Sequence, residues 1–306
     1  MVKSAQAKQV KPFLKWVGGK GQLLNQFASL YPKKYNNYFE PFIGGGAVYF
    51  SLVPNRAHIN DINQTLVQTY INIKMDVEKL IDALKSLEQD FLTKDIEARK
   101  VMYYDIRIQY NQLEPDAFER SLYFLFFNKT AFNGVYRENS KGGFNVPIGS
   151  YTNPKIVDEK NLRLVSHTLN KTTITNQSYF DAVSKAKSGD FVYFDPPYHP
   201  LSETSSFTSY SKDSFSRDDQ TNLRDLFVEL DKKGVYVMLS NSSAPFIQEI
   251  YSGYNQVPVF ASRMINSKAD RRGKISEVVV LNYEPQQNPE IVSEIDLSIS
   301  PQYQYQ

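Results

Sequence analysis

An α/β fold is predicted: a sheet of buried, mainly parallel strands with an antiparallel pair at its C-terminal end, split by a mainly helical insertion that carries a hairpin-like loop. Three observations predict it. Short apolar runs such as Phe191-Val192-Tyr193-Phe194 read as strands buried on both faces. Such runs alternate with helical patterns near both ends of the chain, whereas residues 63–128 hold helical spacing only. Residues 128–155 form a long polar stretch rich in Asn, Gly, Lys and aromatics, of the kind compact proteins keep for function.

The elements follow in chain order. Asn37 to Phe42 is strand-like and runs into Gly44-Gly45-Gly46; a short helix through AVYFSLV and a strand at Ala57-His58-Ile59-Asn60 complete a βαβ start. Val77, Leu80, Ile81, Leu84 and Leu87 recur at helical spacing, and Ala117 to Phe127 reads as another, strongly apolar helix. The polar stretch should turn near Ser140-Lys141-Gly142-Gly143. Thr172 to Thr175 and Phe191 to Phe194 are strands. Ser216 caps a helix with Asp219 at its third position; Leu223, Leu226, Phe227 and Leu230 are its stripe, and Lys232-Lys233-Gly234 closes it. Val235 to Leu239 is the next strand, and Val257 to Ala261 with Val278 to Leu281 form the antiparallel pair. The tail after Glu284 is polar and reads as frayed, and there is no internal repeat.

Composition narrows the function. The 306 residues carry 35 basic against 33 acidic side chains, a net charge of +2, so no global field announces a polyanion. The charge is uneven, however. Residues 129–155 hold Lys129, Arg137, Lys141 and Lys155 against Glu138 alone, and residues 263–274 hold five basic side chains against Asp270 alone. Such loops suit phosphate contact along one face, although on charge alone solubilising surface charge is the preferred account. Absent cysteine excludes disulfides, thiolate catalysis and cysteine-bound zinc. His58, His167 and His199 are not spaced as a metal site. No apolar stretch spans a bilayer and the N-terminus is not a secretory signal, so a cytoplasmic protein is expected.

The glycine turn at 44–46 lets backbone approach a ligand closely, yet it fits neither phosphate-binding pattern. Tyr49 stands where a dinucleotide fingerprint needs its last glycine, and Gly19-Lys20 is followed by Gly21 where a P-loop needs Ser or Thr. Asp61, 15 residues after Gly46 at the tip of the next strand, is placed to accept from ribose hydroxyls or to cap the helix that follows. A ligand with a ribose and no pyrophosphate fits, and S-adenosylmethionine is one.

The segment DPPY (195–198) ends a buried strand with a carboxylate, two residues lacking an N–H, and an aromatic ring. Proline fixes its own φ and extends the residue before it, so the carbonyls are held rigidly with few donors beside them. Such a site suits an amino group. If Asp195 and the Pro196 carbonyl accept its two hydrogens, its lone pair is localised for attack, and Tyr198 stacks on the ring that carries it. A plain Pro-Pro turn is the simpler account of Asp-Pro-Pro alone; the strand before it, the glycine turn and Asp61 favour chemistry.

With these residues in view, the chain resembles the Dam-type DNA adenine-N6 methyltransferases of class I, in the order that places cofactor motifs before the recognition domain. The likeness covers residues 12–284 and rests on FLKWVGGK (13–20), FEPFIGGGAV (39–48), NDIN (60–63), FNKTAFNGVYRENSKGGFNVPIGSY (127–151), QSYF (177–180), DPPYHPLSETSSFTSY (195–210) and SNS (240–242). It implies a Rossmann-like methyltransferase sheet with a catalytic unit at 1–62 and 163–306, and an inserted DNA-recognition domain with a β-hairpin loop at 63–162.

The resemblance also implies roles. S-adenosyl-L-methionine would be held by Trp16, Lys20, Glu40, Pro41, Phe42, Gly44, Gly46, Asp61, Ser178, Tyr179 and Asp195; core packing is the other account of Trp16. Asp195, Pro196, Pro197 and Tyr198 would carry direct methyl transfer to adenine N6, without metal or covalent intermediate, on a base flipped out of double-stranded DNA. Lys15, Asn133, Val135, Arg137 and Pro147 would read the target, with Arg137 able to contact a guanine through two hydrogen bonds. Lys129, Arg271 and Arg272 would sit on phosphates. The family's usual target is GATC; Val135 replaces a common Leu, and Tyr136 and Ser150 also depart from the best-known pattern. A monomer is expected, with a restriction endonuclease of the same system as a partner that forms no stable complex. An N4-cytosine or RNA-adenine methyltransferase, or a DNA-binding module without catalysis, are the competing readings.

Overall fold

The computed structural model describes residues 10–201, 215–262 and 274–285. Its centre is a seven-stranded sheet of β1 (Tyr38–Glu40), β2 (Ala57–Asn60), β3 (Thr172–Thr175), β4 (Phe191–Phe194), β5 (Tyr236–Ser242), β6 (Asn255–Ser262) and β7 (Lys274–Leu281). The spatial order is β3-β2-β1-β4-β5-β7-β6. The first five strands are parallel, and β7 runs antiparallel to both β5 and β6. From β1 the chain winds outward through β2 to β3, then returns to β4 and winds the other way. The carboxyl ends of β1 and β4 therefore flank the point where strand order reverses, which is where open α/β sheets bind ligands.

Period-two alternation divides the core into two layers. Phe191 and Tyr193 face one side of β4, toward Phe27, Tyr49, Phe50 and Tyr70. Val192 and Phe194 face the other, toward Leu223, Phe227 and Ile247. Helices α1 (Leu24–Phe27) and α2 (Ala47–Leu52) lie on the first side. With them goes the helical block of α3 (Gln64–Met75), α4 (Val77–Thr93), α5 (Ile96–Tyr110), α6 (Phe118–Thr130) and α7 (Glu159–Leu169). The second side carries α8 (Tyr179–Val183), α9 (Arg217–Lys232) and α10 (Pro245–Ile250). Asn63, Asp76 and Asp95 cap α3, α4 and α5 by accepting from backbone N–H groups. The expected capping box of Ser216 and Asp219 is formed in full.

Some boundaries differ from expectation for physical reasons. β1 stops at Glu40 because Pro41 cannot extend the ladder. β5 runs on to Ser242 because its polar end pairs with Val279, Val278 and Glu277 of β7. The hairpin loop is pinned rather than laddered: isolated bridges join Ala131 to Ile148 and Glu138 to Phe144, and Asn139 exchanges backbone bonds with Gly142 and Gly143 at the turn. The expected boundary between residues 162 and 163 falls inside α7, which packs on α3, α4 and β3. Arg271, Arg272, residues 202–210 of the DPPY segment and the tail from 286 lie outside the described residues.

Candidate active site

A cavity of about 970 Å³ opens where the strand order reverses, between the carboxyl ends of β1, β2 and β4. Trp16, Lys20, Glu40, Pro41, Phe42, Gly44, Gly46, Asp61, Ser178, Tyr179 and the four residues of DPPY all line it. The fold thus brings together side chains from five separated segments. Sequence reading did not assign Ile62, Gln177, Tyr193, Phe215 and Asp219 to the site, and they line the cavity as well.

Two glycines shape the floor. Gly44 has φ +46°, and a Cβ there would lie 2.6 Å from the Trp16 ring. Gly46 has φ +72°, and a Cβ there would lie 2.8 Å from the Tyr70 hydroxyl. Neither position tolerates a side chain. Asp61 ties the turn down: one carboxylate oxygen accepts from Gly44 N–H at 3.0 Å and the other from Asn63 N–H at 3.0 Å. The helix cap itself is Asn63, which accepts from Leu66 N–H at 2.9 Å. Burial raises the Asp61 carboxyl while these N–H donors pull it down. Trp16 lines the cavity and its ring also stacks on Tyr136 with centroids 6.0 Å apart. Phe42 and Tyr179 stack at 5.3 Å, and Ile62, 79% exposed, stands beside Asp61. Glu40 is buried and accepts from the Tyr38 hydroxyl at 2.6 Å, and desolvation pushes it well above the usual carboxylate range.

At the other end, Lys20 is 6% exposed. Its ammonium donates to the Gly18 carbonyl at 2.6 Å, pairs with Asp195 Oδ1 at 2.8 Å and lies 4.6 Å from the Tyr198 ring centroid. Burial pushes Asp195 up to about 6, with Lys20 the largest opposing influence. A nitrogen donor over an aromatic face and against a carboxylate is the arrangement this segment was expected to offer an amine. The backbone around it is fixed from behind. Gln220, fully buried on α9, donates to the Pro197 carbonyl at 2.9 Å and accepts from Asn241 at 3.0 Å. Asn241 Oδ1 accepts from His199 N–H, and the Ser242 hydroxyl donates to the His199 carbonyl at 2.6 Å. No described residue donates to the Pro196 carbonyl.

The expected reading residues share one region. Asn128 at the end of α6 brackets Lys15, accepting from its N–H at 2.9 Å and donating to its carbonyl at 2.8 Å. Asn133, with φ +56°, and Gly134, with φ +65°, make the sharp turn into the loop. Arg137 is exposed and steered by Asn145, to which its Nε donates at 3.0 Å. Pro147 is exposed and Val135 half-buried. Lys129, expected on phosphates, is half-buried beside Lys15: its ammonium donates to the Phe13 carbonyl at 3.2 Å, and burial, then the Lys15 charge, lowers its pKa. Among the described residues no three His, Asp or Glu side chains gather as a metal site, and no helix is long and apolar enough to cross a membrane.

Comparison with known proteins agrees with this geometry. The family model of the D12 class N6 adenine-specific DNA methyltransferases matches residues 16–265. The type II methyltransferase M1.LlaDCHI of Lactococcus lactis subsp. cremoris is 47% identical over 279 residues, spanning 90% of this chain and 96% of that protein. The type II methyltransferase M.MjaIII of Methanocaldococcus jannaschii is 46% identical over 288 residues, spanning 90% and 100%. A DNA adenine methylase of Vibrio cholerae is 36% identical over 275 residues, spanning 90% and 96%. Residues brought from five segments to one strand-order reversal, and a match that runs through all of them, mean that the chain belongs to the D12 class of N6 adenine-specific DNA methyltransferases.

Proposed function

We propose that this enzyme transfers a methyl group from S-adenosylmethionine to N6 of adenine in double-stranded DNA, at GATC, after flipping the base out of the duplex. The observation that carries the reading is the trio of Lys20, Asp195 and Tyr198, in which a nitrogen donor meets a carboxylate over an aromatic ring at the end of the cavity.

The cavity suits the cofactor. Gly44–Gly46 form a tight turn along the cavity whose missing side chains make room for Trp16, Tyr70 and Phe50, and Asp61 keeps lone pairs for ribose hydroxyls after taking one N–H on each oxygen. Phe42, Ile62, Ser178 and Tyr179 border the place for its adenine, and Trp16, Lys20, Glu40 and Pro41 the place for its methionine end. When bound, the cofactor supplies an electrophilic methyl on a sulfonium. The protein does the rest by placement. Asp195 and the Pro196 carbonyl would accept hydrogen bonds from the two N–H groups of the amine, which turns the nitrogen lone pair toward the cofactor side; as the N–C bond forms the C–S bond breaks with its electron pair left on sulfur, and the surplus proton on N6 passes to the Asp195 carboxylate. Gln220, Asn241 and Ser242 hold those acceptors still. Tyr198 stacks on the flipped base and offsets part of the few kcal/mol of unstacking.

Lys15, Asn133, Val135, Arg137 and Pro147 read the target, and Arg271 and Arg272 meet phosphates. Lys129 holds the segment that carries Lys15. The catalytic unit comprises residues 1–62 and 163–306 and the recognition unit 63–162, with α7 shared across the second boundary.

The test is methyl transfer from labelled S-adenosylmethionine to two duplexes differing only in GATC against GTTC, with the nucleosides then identified. Label in N6-methyladenine on the GATC duplex alone is expected. Equal label on both would overturn the target, and N4-methylcytosine would overturn the reaction.

A further inference from the structure

The Tyr198 phenol donates to Glu277 Oε2 at 2.6 Å. Glu277 lies outside every motif that carries the family resemblance and beyond the 16–265 stretch that the family model matches. It sits on β7, opposite Ser242 of β5 and Val259 of β6, so ladders on both sides hold its backbone. Alternation puts its side chain on the sheet face shared by Val279 and Leu281, which is also the face of Tyr193 in the cavity wall.

We propose that Glu277 is a positioning residue for methyl transfer: its carboxylate holds the Tyr198 phenol and so fixes the plane of the ring on which the target adenine stacks. This deepens the reading given under Proposed function and rests on it. The two prolines fix the backbone that leads to Tyr198 but not its two side-chain torsions. An anchor at the far end of the ring sets both. A hydroxyl bonded to a carboxylate is among the stronger anchors a side chain can have. Lys20 stands over the ring from within the cavity, so the ring is held at its tip by an acid and covered on its face by a cation. A base replacing that cation against Asp195 needs the ring already in plane, because transfer depends on alignment of the amine to within a fraction of an ångström.

The test is a double-mutant cycle of Glu277→Ala and Tyr198→Phe. It is read by single-turnover methylation of a GATC duplex, by S-adenosylmethionine affinity and by thermal melting. Phenylalanine keeps the stacking face and loses the anchor; because it also loses the hydroxyl's pull on Asp195, rates are compared well above pH 6, where Asp195 stays a carboxylate in each variant. Each single variant should slow transfer about tenfold or more, with cofactor affinity changed less than about twofold. The double variant should be no slower than the slower single one, because both remove the same contact. Glu277→Gln keeps an acceptor and should stay within about threefold of wild type. Losses that multiply in the double variant, or a Tyr198→Phe enzyme as fast as wild type, would overturn the inference. Should Glu277→Ala fail to fold, Tyr198→Phe and Glu277→Gln decide alone: a normal rate for the first, or a loss in the second as deep as in the first, would overturn it. Wild-type protein that methylates adenine while the cycle is multiplicative sinks this inference only. Wild-type protein that methylates no adenine sinks the reading beneath it as well.

Discussion

Asp195 accepts from an amine most strongly as a carboxylate, and its surroundings leave that form in contest near neutrality. Burial and the negative charge of Glu277 push its pKa up; the ammonium of Lys20 and the Tyr198 hydroxyl pull it down, and the balance stands at about 6. Above that pH the carboxylate predominates and accepts strongly; below it the group is protonated and offers the amine only a weaker carbonyl acceptor. The rate should therefore fall as pH drops through about 6, with an acid limb in kcat/KM. Lys20→Met removes the largest influence holding the value down, so the limb should move to higher pH, whereas Lys20→Arg should leave it near its original place. A pH–rate profile of each variant checks this, and an unmoved limb in Lys20→Met would show that another group governs Asp195. Much of this residue-level chemistry was legible in the sequence, because proline and a strand-end carboxylate restrict geometry wherever they occur. Glu277 was not. A single acid in Ser276-Glu277-Val278-Val279-Val280 reads as the polar start of a strand, and only pairing across β5 brings it to Tyr198.

The elements that build the cavity depend on backbone that few residues can adopt. Gly46 begins α2 with φ +72°, and its missing Cβ makes room for Tyr70 and Phe50. Gly46→Ala should cost about 1–3 kcal/mol, from the left-handed backbone together with the clash. Thermal melting checks this: a drop of several degrees is expected, and an unchanged midpoint would mean the turn relaxes freely. The hairpin loop makes a different demand. Arg137 is exposed, and its one steering contact is to Asn145 on the opposite arm. Arg137→Ala should relax discrimination at one base pair by about 1–3 kcal/mol rather than weaken binding to every sequence alike. Competition among duplexes with single substitutions in GATC checks it, and a uniform loss would make Arg137 a phosphate contact. Strong periodicity made the βαβ start, the helical block and the capped α9 readable beforehand. The helices α7, α8 and α10 were missed: α8 and α10 are single short turns that only packing sustains, and α7 begins at Glu159 straight after the polar stretch. The strand was expected to end at Leu239, yet the polar SNS segment continues it as the buried end of β5, where Asn241 and Ser242 bond to the backbone of His199 just after DPPY.

At the scale of the molecule, one short segment touches both the cavity and the hairpin loop. Trp16 packs against Gly44 and Gly45 of the cavity floor and stacks on Tyr136 of the hairpin loop. Lys15, next to it, is gripped on both sides of its backbone by Asn128, which also donates to the Gly134 carbonyl at 3.2 Å. The cavity floor, residues 13–20 and the root of the loop are therefore one packed unit. A ligand that orders the floor should help to order the loop, and linkage requires the reverse in equal measure. S-adenosylhomocysteine should then tighten binding of a GATC duplex by several-fold, and the duplex should tighten S-adenosylhomocysteine by the same factor. Asn128→Leu deletes the grip without removing a residue assigned to either ligand. The coupling should shrink toward unity in that variant, while S-adenosylhomocysteine affinity without DNA changes little. Duplex titrations with and without S-adenosylhomocysteine, in both proteins, give the factor directly. Equal coupling in wild type and Asn128→Leu would mean that the sites communicate through the sheet or the bound ligands themselves, and that the bracket on Lys15 serves folding alone.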